Sequence, residues 1–285
     1  MKPLLLAIAS LVLAPALAFA QPPGGGNGPV KGGKHGGPPA AASAQSPAPT
    51  AAPAVDDKTP RDPNKFAALS LLGDNVQLVS LTPARGDTVQ NGDWTATPSG
   101  GLDNAVLQAL NGAIKAVDDK REVKLYTSST RSLFGDPASL FVDGKLSLPG
   151  KLAEAVRLSG AAKLLLVTRS RQEPALAAAL PSHLLTTLEG PGFVLDQRPS
   201  GQIGFDGQGA LPVFASYVSI RVALVDLTDL KLKREQSLAA AARLPVTREA
   251  AANPWAATTT EQRVKALEAL IEAELPKAVA GLVAR

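Results

Sequence analysis

The chain has 285 residues, 45% hydrophobic and 19% charged, with a mean hydropathy of +0.07; this balance builds a core and excludes a multi-span membrane protein. It holds no cysteine and two histidines, His35 and His183, which excludes disulfides, thiolate metal sites, cysteine nucleophiles and multi-histidine metal centres. The formal charge of +4 is spread thinly: residues 65–285 carry 24 basic and 22 acidic side chains, and aromatics make up 4% of the chain. A nucleic-acid interface needs a concentrated basic stripe, often with aromatics for stacking. The nearest cluster, Lys231, Lys233 and Arg234, reads instead as a lysine-guarded strand edge with Glu235 on the same face as Lys231 and Lys233. Nucleic acid is not an expected partner.

Residues 1–20 combine Lys2, an apolar stretch from Leu4 to Ala14 and the small-residue site Ala18-Phe19-Ala20. This is the pattern of a secretory signal, with cleavage between Ala20 and Gln21. The apolar stretch is short for a membrane span, and Gln21 stands where a lipidated cysteine would be. The expectation is a periplasmic or secreted protein with no transmembrane span after cleavage. Residues 21–64 are dominated by Gly, Pro and Ala without apolar periodicity, so they are expected to be a disordered tether.

The remainder, 65–285, is expected to be one α/β domain. Two apolar runs, 66–72 and 76–81, flank Gly73-Asp74-Asn75, which is turn chemistry and predicts a β-hairpin. Residues 83–101 read as loop. A helix is predicted over 102–117, with Leu102, Val106, Leu110, Ile114 and Val117 on one stripe and Asp103 near its positive end. A strand follows at 122–128. A second helix over 150–159 enters through Pro149 and ends at Gly160. The continuous apolar run 163–168 predicts an interior strand, and strand, helix and strand form a β-α-β unit. Alternation over 217–226 and the turn at 226–229 predict a long hairpin, with Leu230, Leu232 and Leu238 on the return strand. The last helix is expected over 261–283, with Thr258 and Glu261 as a capping box and a kink at Pro276. The sum is a mixed sheet of five or six strands with packed helices.

This element order, with the Gly160-Ala161 lead into LLLV and the turn after Val225-Asp226, resembles the small periplasmic α/β domains of bacterial envelope proteins. The curli-secretion lipoprotein and the lipoprotein activators of penicillin-binding proteins are examples. Separately, Leu69-Ser70-Leu71-Leu72-Gly73-Asp74 looks like the start of uncharacterised exported proteobacterial proteins. The chain departs from the lipoprotein pattern in lacking the lipidated cysteine. The resemblance implies an envelope setting and a non-catalytic domain, and it carries over no site residues.

Gly73-Asp74-Asn75 is similar to the Gly-Asp-Ser block of exported esterases, but Asn75 cannot form an acyl-enzyme. Any acid–base mechanism that depends on a histidine of the domain must use His183, and Ser128, Ser129 or Ser170 at strand ends could approach it. The unusual segment is 190–212, a long glycine-rich stretch that carries Phe193, Val194, Leu195, Ile203 and Phe205. Long irregular stretches inside a compact domain are usually functional or disordered, so it is expected to be a binding loop. No metal and no cofactor is expected. The leading expectation is a non-enzymatic binding or adaptor protein with an envelope protein partner. The alternative is an exported hydrolase that uses His183 as acid or base.

Overall fold

Residues 60–84, 87–97, 101–172, 188–198 and 209–284 are described in the computed structural model of the chain. The expected signal segment and most of the expected tether lie outside them. The tether's last residues do not: strand β1 (Asp62–Leu71) already begins at Asp62, three residues before the expected boundary. Arg61 anchors it by donating to the carbonyls of Arg157 and Ala161.

The sheet is organised by the long hairpin of β10 (Val213–Asp226) and β11 (Leu232–Leu244), paired almost throughout. On its other side β10 holds two strands end to end. Ile220–Asp226 pair antiparallel with β7 (Ala161–Arg169), and Val213–Ser219 pair with β9 (Leu188–Asp196). The next row repeats this arrangement: β1 lies parallel to β7, and β2 (Asn75–Ala84) lies parallel to β9. In the last row β4 (Glu122–Tyr126) runs parallel to β1, and β3 (Asp87–Ala96) runs antiparallel to β2. The two-residue β8 (Arg171–Gln172) pairs with the start of β9. Two residues, Phe141–Val142 (β5), pair with Lys145–Leu146 (β6) as a separate ribbon.

The mixed α/β architecture agrees with expectation, but five or six strands become nine in the main sheet. The physical reason is interruption: three of its five rows are each built from two strands, which makes eight, and the two-residue β8 adds the ninth. The turn at Gly73 does not fold β2 back on β1 as a hairpin. It carries the chain onward along the same row, and β2 pairs instead with β3, which occupies residues expected to be loop.

Helix α1 (Gly101–Val117) and helix α4 (Thr260–Val283) cover one face of the sheet, and helix α2 (Gly150–Leu158) packs on the other. Phe66 and Ala68 point to the first layer, and Ala67, Leu69 and Leu71 to the second, as strand alternation requires. Both α-layer faces are apolar, which explains the continuous hydrophobic run in β7. The capping box of α4 sits one residue later than expected, with Thr259 and Gln262 exchanging hydrogen bonds, and the helix continues through Pro276. The short helix α3 (Pro254–Ala257) brings Trp255 onto the core.

A tight polar contact ties β2, β9 and β10 together. Tyr217 is fully buried and donates its hydroxyl to Gln77 Oε1 at 2.6 Å, and the Glu189 amide donates to the same oxygen at 3.2 Å. Burial pushes the Tyr217 phenol far above its ordinary range, so it stays protonated as a donor. Gly192 makes room for this ring: a Cβ there would lie 2.3 Å from the Gln77 carbonyl oxygen and 2.5 Å from the Tyr217 hydroxyl. Gly192→Ala is therefore expected to cost about 3 kcal/mol through overpacking. Urea unfolding checks this; a midpoint equal to wild type would show that the strands separate freely here.

Candidate functional site

The three parallel strands β4, β1 and β7 end together, and their carboxyl ends form one wall of a cleft of about 830 Å³. In open sheets with parallel strands, ligands bind outside these ends, where the connections diverge to the two faces. Here α1 leads to β4 on one face and α2 leads from β4 to β7 on the other, with β1 between them. Gly73, Asp74 and Asn75 come from the interrupted row, Thr127, Ser128 and Ser129 from the end of β4, and Arg169 from the end of β7. Asp103 and Asn104 belong to the first turn of α1, and Phe134 and Gly135 follow β4.

Two charged side chains build this rim. Asp103, 4% exposed, accepts from the Ser70 hydroxyl at 2.6 Å, the Leu72 amide at 3.0 Å and the Gly73 amide at 3.2 Å. It thereby fixes the chain as it leaves β1. Burial raises its carboxyl above the ordinary carboxylate range, and the three donors offset only part of that. Arg169 donates from Nε to the Leu72 carbonyl at 2.7 Å and from Nη2 to the Asn75 carbonyl at 3.1 Å, bridging the interruption from the other side. Its guanidinium lies 4.8 Å from the Trp94 ring centroid, and its aliphatic stem packs on Gly190. That glycine has φ +64, and a Cβ there would sit 3.0 Å from the stem. Burial lowers the Arg169 pKa, with Glu189, Asp103 and Tyr217 opposing the change.

Gly73 (φ +70) takes the backbone conformation that only glycine adopts readily, and the Phe134 ring closes on it, 3.0 Å from where a Cβ would stand. The motif expected to be a hairpin turn is therefore the lip of the cleft. Asp103, expected only to complement a helix dipole, joins α1 to β1.

The residues expected to form a binding loop are placed differently. Phe193, Val194 and Leu195 lie inside β9, paired with β2 on one side and β10 on the other, and are 0%, 0% and 5% exposed. They are part of the core. Phe193 stacks on Phe214 at 5.7 Å and meets Trp255 edge-on at 5.5 Å. Ile203, Phe205 and His183 lie outside the described residues. Ser128 and Ser129, considered as companions of His183, both line the cleft, whereas Ser170 lies at the β7–β8 break, its amide donating to the Ser219 carbonyl and its carbonyl accepting from the Ser219 hydroxyl. Among the described residues no group of three or more His, Asp or Glu side chains is placed to hold a metal. No helix among them is long and apolar enough to cross a membrane.

No protein-family model matches the chain, and no curated protein matches it. Among solved structures it is similar to a Xanthomonas campestris protein of the family model DUF330. That match has 10% identity and a TM-score of 0.31, over 79% of this chain and 89% of the other. It is also similar to a dodecameric PelC variant from Paraburkholderia phytofirmans, at 11% identity and a TM-score of 0.27, over 80% of this chain and 94% of the other. Likenesses this distant carry no argument about function. The resemblance to envelope lipoproteins rests on the order of elements in the sequence.

Proposed function

We propose that this chain is an exported, non-enzymatic binding or adaptor protein of the bacterial envelope, and that the cleft at the carboxyl ends of β1, β4 and β7 is its binding site. One observation carries the reading: of the three charged side chains that line the cleft, the two most buried, Asp103 and Arg169, are committed to the fold. Asp103 accepts from three donors of the fold, and Arg169 turns its Nε and Nη2 to two backbone carbonyls. A general base or an electrostatic catalyst must keep its lone pair or charge for the reacting atoms. What remains around these two groups is a rigid, shaped, polar surface, which suits binding. Its size falls within the roughly 300–1,000 Å³ typical of ligand sites.

The absence of cysteine gives a clean test. Gly135 lies on the rim, where a new Cβ would come no nearer than 3.8 Å to another atom. Maleimide should label Gly135→Cys readily in the pure protein and several-fold more slowly in periplasmic extract. A control, Leu158→Cys on the exposed flank of α2, should label equally in both. Equal rates at Gly135→Cys would sink the binding reading. Export has its own check: the protein released by osmotic shock should begin at Gln21, and an intact Met1 recovered only with detergent would contradict it.

A further inference from the structure

The chemistry of the cleft narrows what it can hold. Four side chains line it without a hydrogen-bond partner among the described residues: Asn75, Asn104, Thr127 and Ser129. Carboxamides and hydroxyls share one property: each both donates and accepts. A ligand that matches four such groups must carry several groups of the same kind, and a set of hydroxyls does so most directly.

The electrostatics point the same way. An anion entering the cleft meets the carboxyl groups of Asp74 and Asp103, and the one cation among the described lining residues, Arg169, is turned to backbone carbonyls and stacked on Trp94. A phosphate or carboxylate would give up its hydration to sit beside two carboxyl groups, facing a guanidinium whose Nε and Nη2 already donate to backbone carbonyls. An apolar ligand would bury the amides and hydroxyls unpaired, at a cost of about 1–3 kcal/mol each. A peptide added as a strand needs an open edge to extend, but this cleft lies at the ends of strands and not along one. The half-buried ring of Phe134 offers an apolar patch beside the polar groups, the combination that a sugar ring, polar at its rim and apolar on its C–H face, can cover.

We propose that the cleft binds a neutral polyhydroxylated ligand, a short stretch of uncharged saccharide. The inference rests on the reading of the cleft as the binding site, and one experiment separates the two. The extract that slows labelling of Gly135→Cys is treated in one portion with protease and in another with periodate, which cleaves vicinal diols. Protection should survive protease and disappear after periodate. Survival after periodate with loss after protease would overturn the saccharide inference in favour of a protein ligand while leaving the binding reading intact; no protection in untreated extract would remove both.

Purified probes complete the test. Maltotriose, cellotriose and triacetylchitotriose are titrated against the full chain, with inorganic phosphate as the anionic probe, while amide shifts are followed by NMR. At least one sugar should shift Asn75, Asn104, Thr127 and Ser129 saturably and slow labelling of Gly135→Cys about tenfold at ten times its Kd. The double variant N75A/N104A should weaken that binding about tenfold or more while its amide spectrum stays dispersed. Shifts at these residues with phosphate but with none of the sugars, or with no probe at all, would overturn the inference.

Discussion

Replacing Phe193 by alanine should cost about 3–5 kcal/mol of stability, the range for truncating a buried aromatic. Phe193 is 0% exposed, and its ring touches Phe214 and Trp255 at once. Truncation therefore removes its own buried area and also exposes its partners to a void that the paired strands on either side cannot close. The same strand should be among the slowest in hydrogen exchange. Amides of Phe193–Leu195 should be protected as strongly as those of Leu164–Val167, because both sets lie in strands paired on two sides. A shortened chain that lacks 193–209 should fail to fold, since the cut removes the part of β9 that joins β2 to β10. If instead the alanine variant unfolds within 1 kcal/mol of wild type, as about ±0.5 is usual for surface positions, the strand is not core and the placement of β9 is wrong.

Why the sequence pointed the other way at this segment is instructive. Glu189-Gly190-Pro191-Gly192 opens β9 with residues that ordinarily end strands. Each glycine has a spatial cause that no local pattern reveals. Gly190 is in the left-handed region under the stem of Arg169, and Gly192 makes room for the Tyr217 ring from a strand 25 positions later. Pro191 is tolerated although β9 is interior, and it pairs at Val218. The turn at Gly73 misled in a similar way. Glycine, Asp and Asn mark a change of direction or a break, but which of the two depends on partners: Asp103 and Arg169 hold the break open from both sides. By contrast α1, α2, β7, the β10–β11 hairpin and α4 were all legible, because their signals are local: 3.6-residue stripes, Pro149 and Gly160 at the ends of α2, and alternation in β10. The cleft was legible only in outline. A β-α-β unit implies a crevice at its strand ends, which places Thr127–Ser129 and Arg169 there, but the side chains that shape it, Asp103 and Phe134, carry no local signal of that role.

Asp103 should prove the most costly polar side chain to remove. Asp103→Ala strips the acceptor from the Ser70 hydroxyl and from two amides at the exit of β1, and each orphaned buried donor costs about 1–3 kcal/mol. A loss of about 3–5 kcal/mol is expected, together with loss of ligand protection at the cleft, because Gly73 and Asn75 are no longer held. Asp103→Asn tests the charge separately. Its Oδ1 can still accept from Ser70 and Leu72, while its amide nitrogen faces the Gly73 amide, donor against donor, so a smaller loss of about 1–2 kcal/mol is expected.

The pH dependence then has a defined sign. Burial raises the folded-state pKa of Asp103 above its unfolded value, so between the two the folded state binds more protons than the unfolded state. Stability from this group is fully present below the unfolded value of about 3.9 and falls as pH rises through the folded value. Urea titrations of wild type and Asp103→Asn across the acidic range isolate the effect, since the other carboxylates are common to both. The advantage of wild type over the Asn variant should shrink as pH rises through that window and then level off. An advantage that grows with pH would mean that the three donors outweigh burial and hold the Asp103 carboxyl below its ordinary range, as a carboxylate stabilised by its hydrogen bonds.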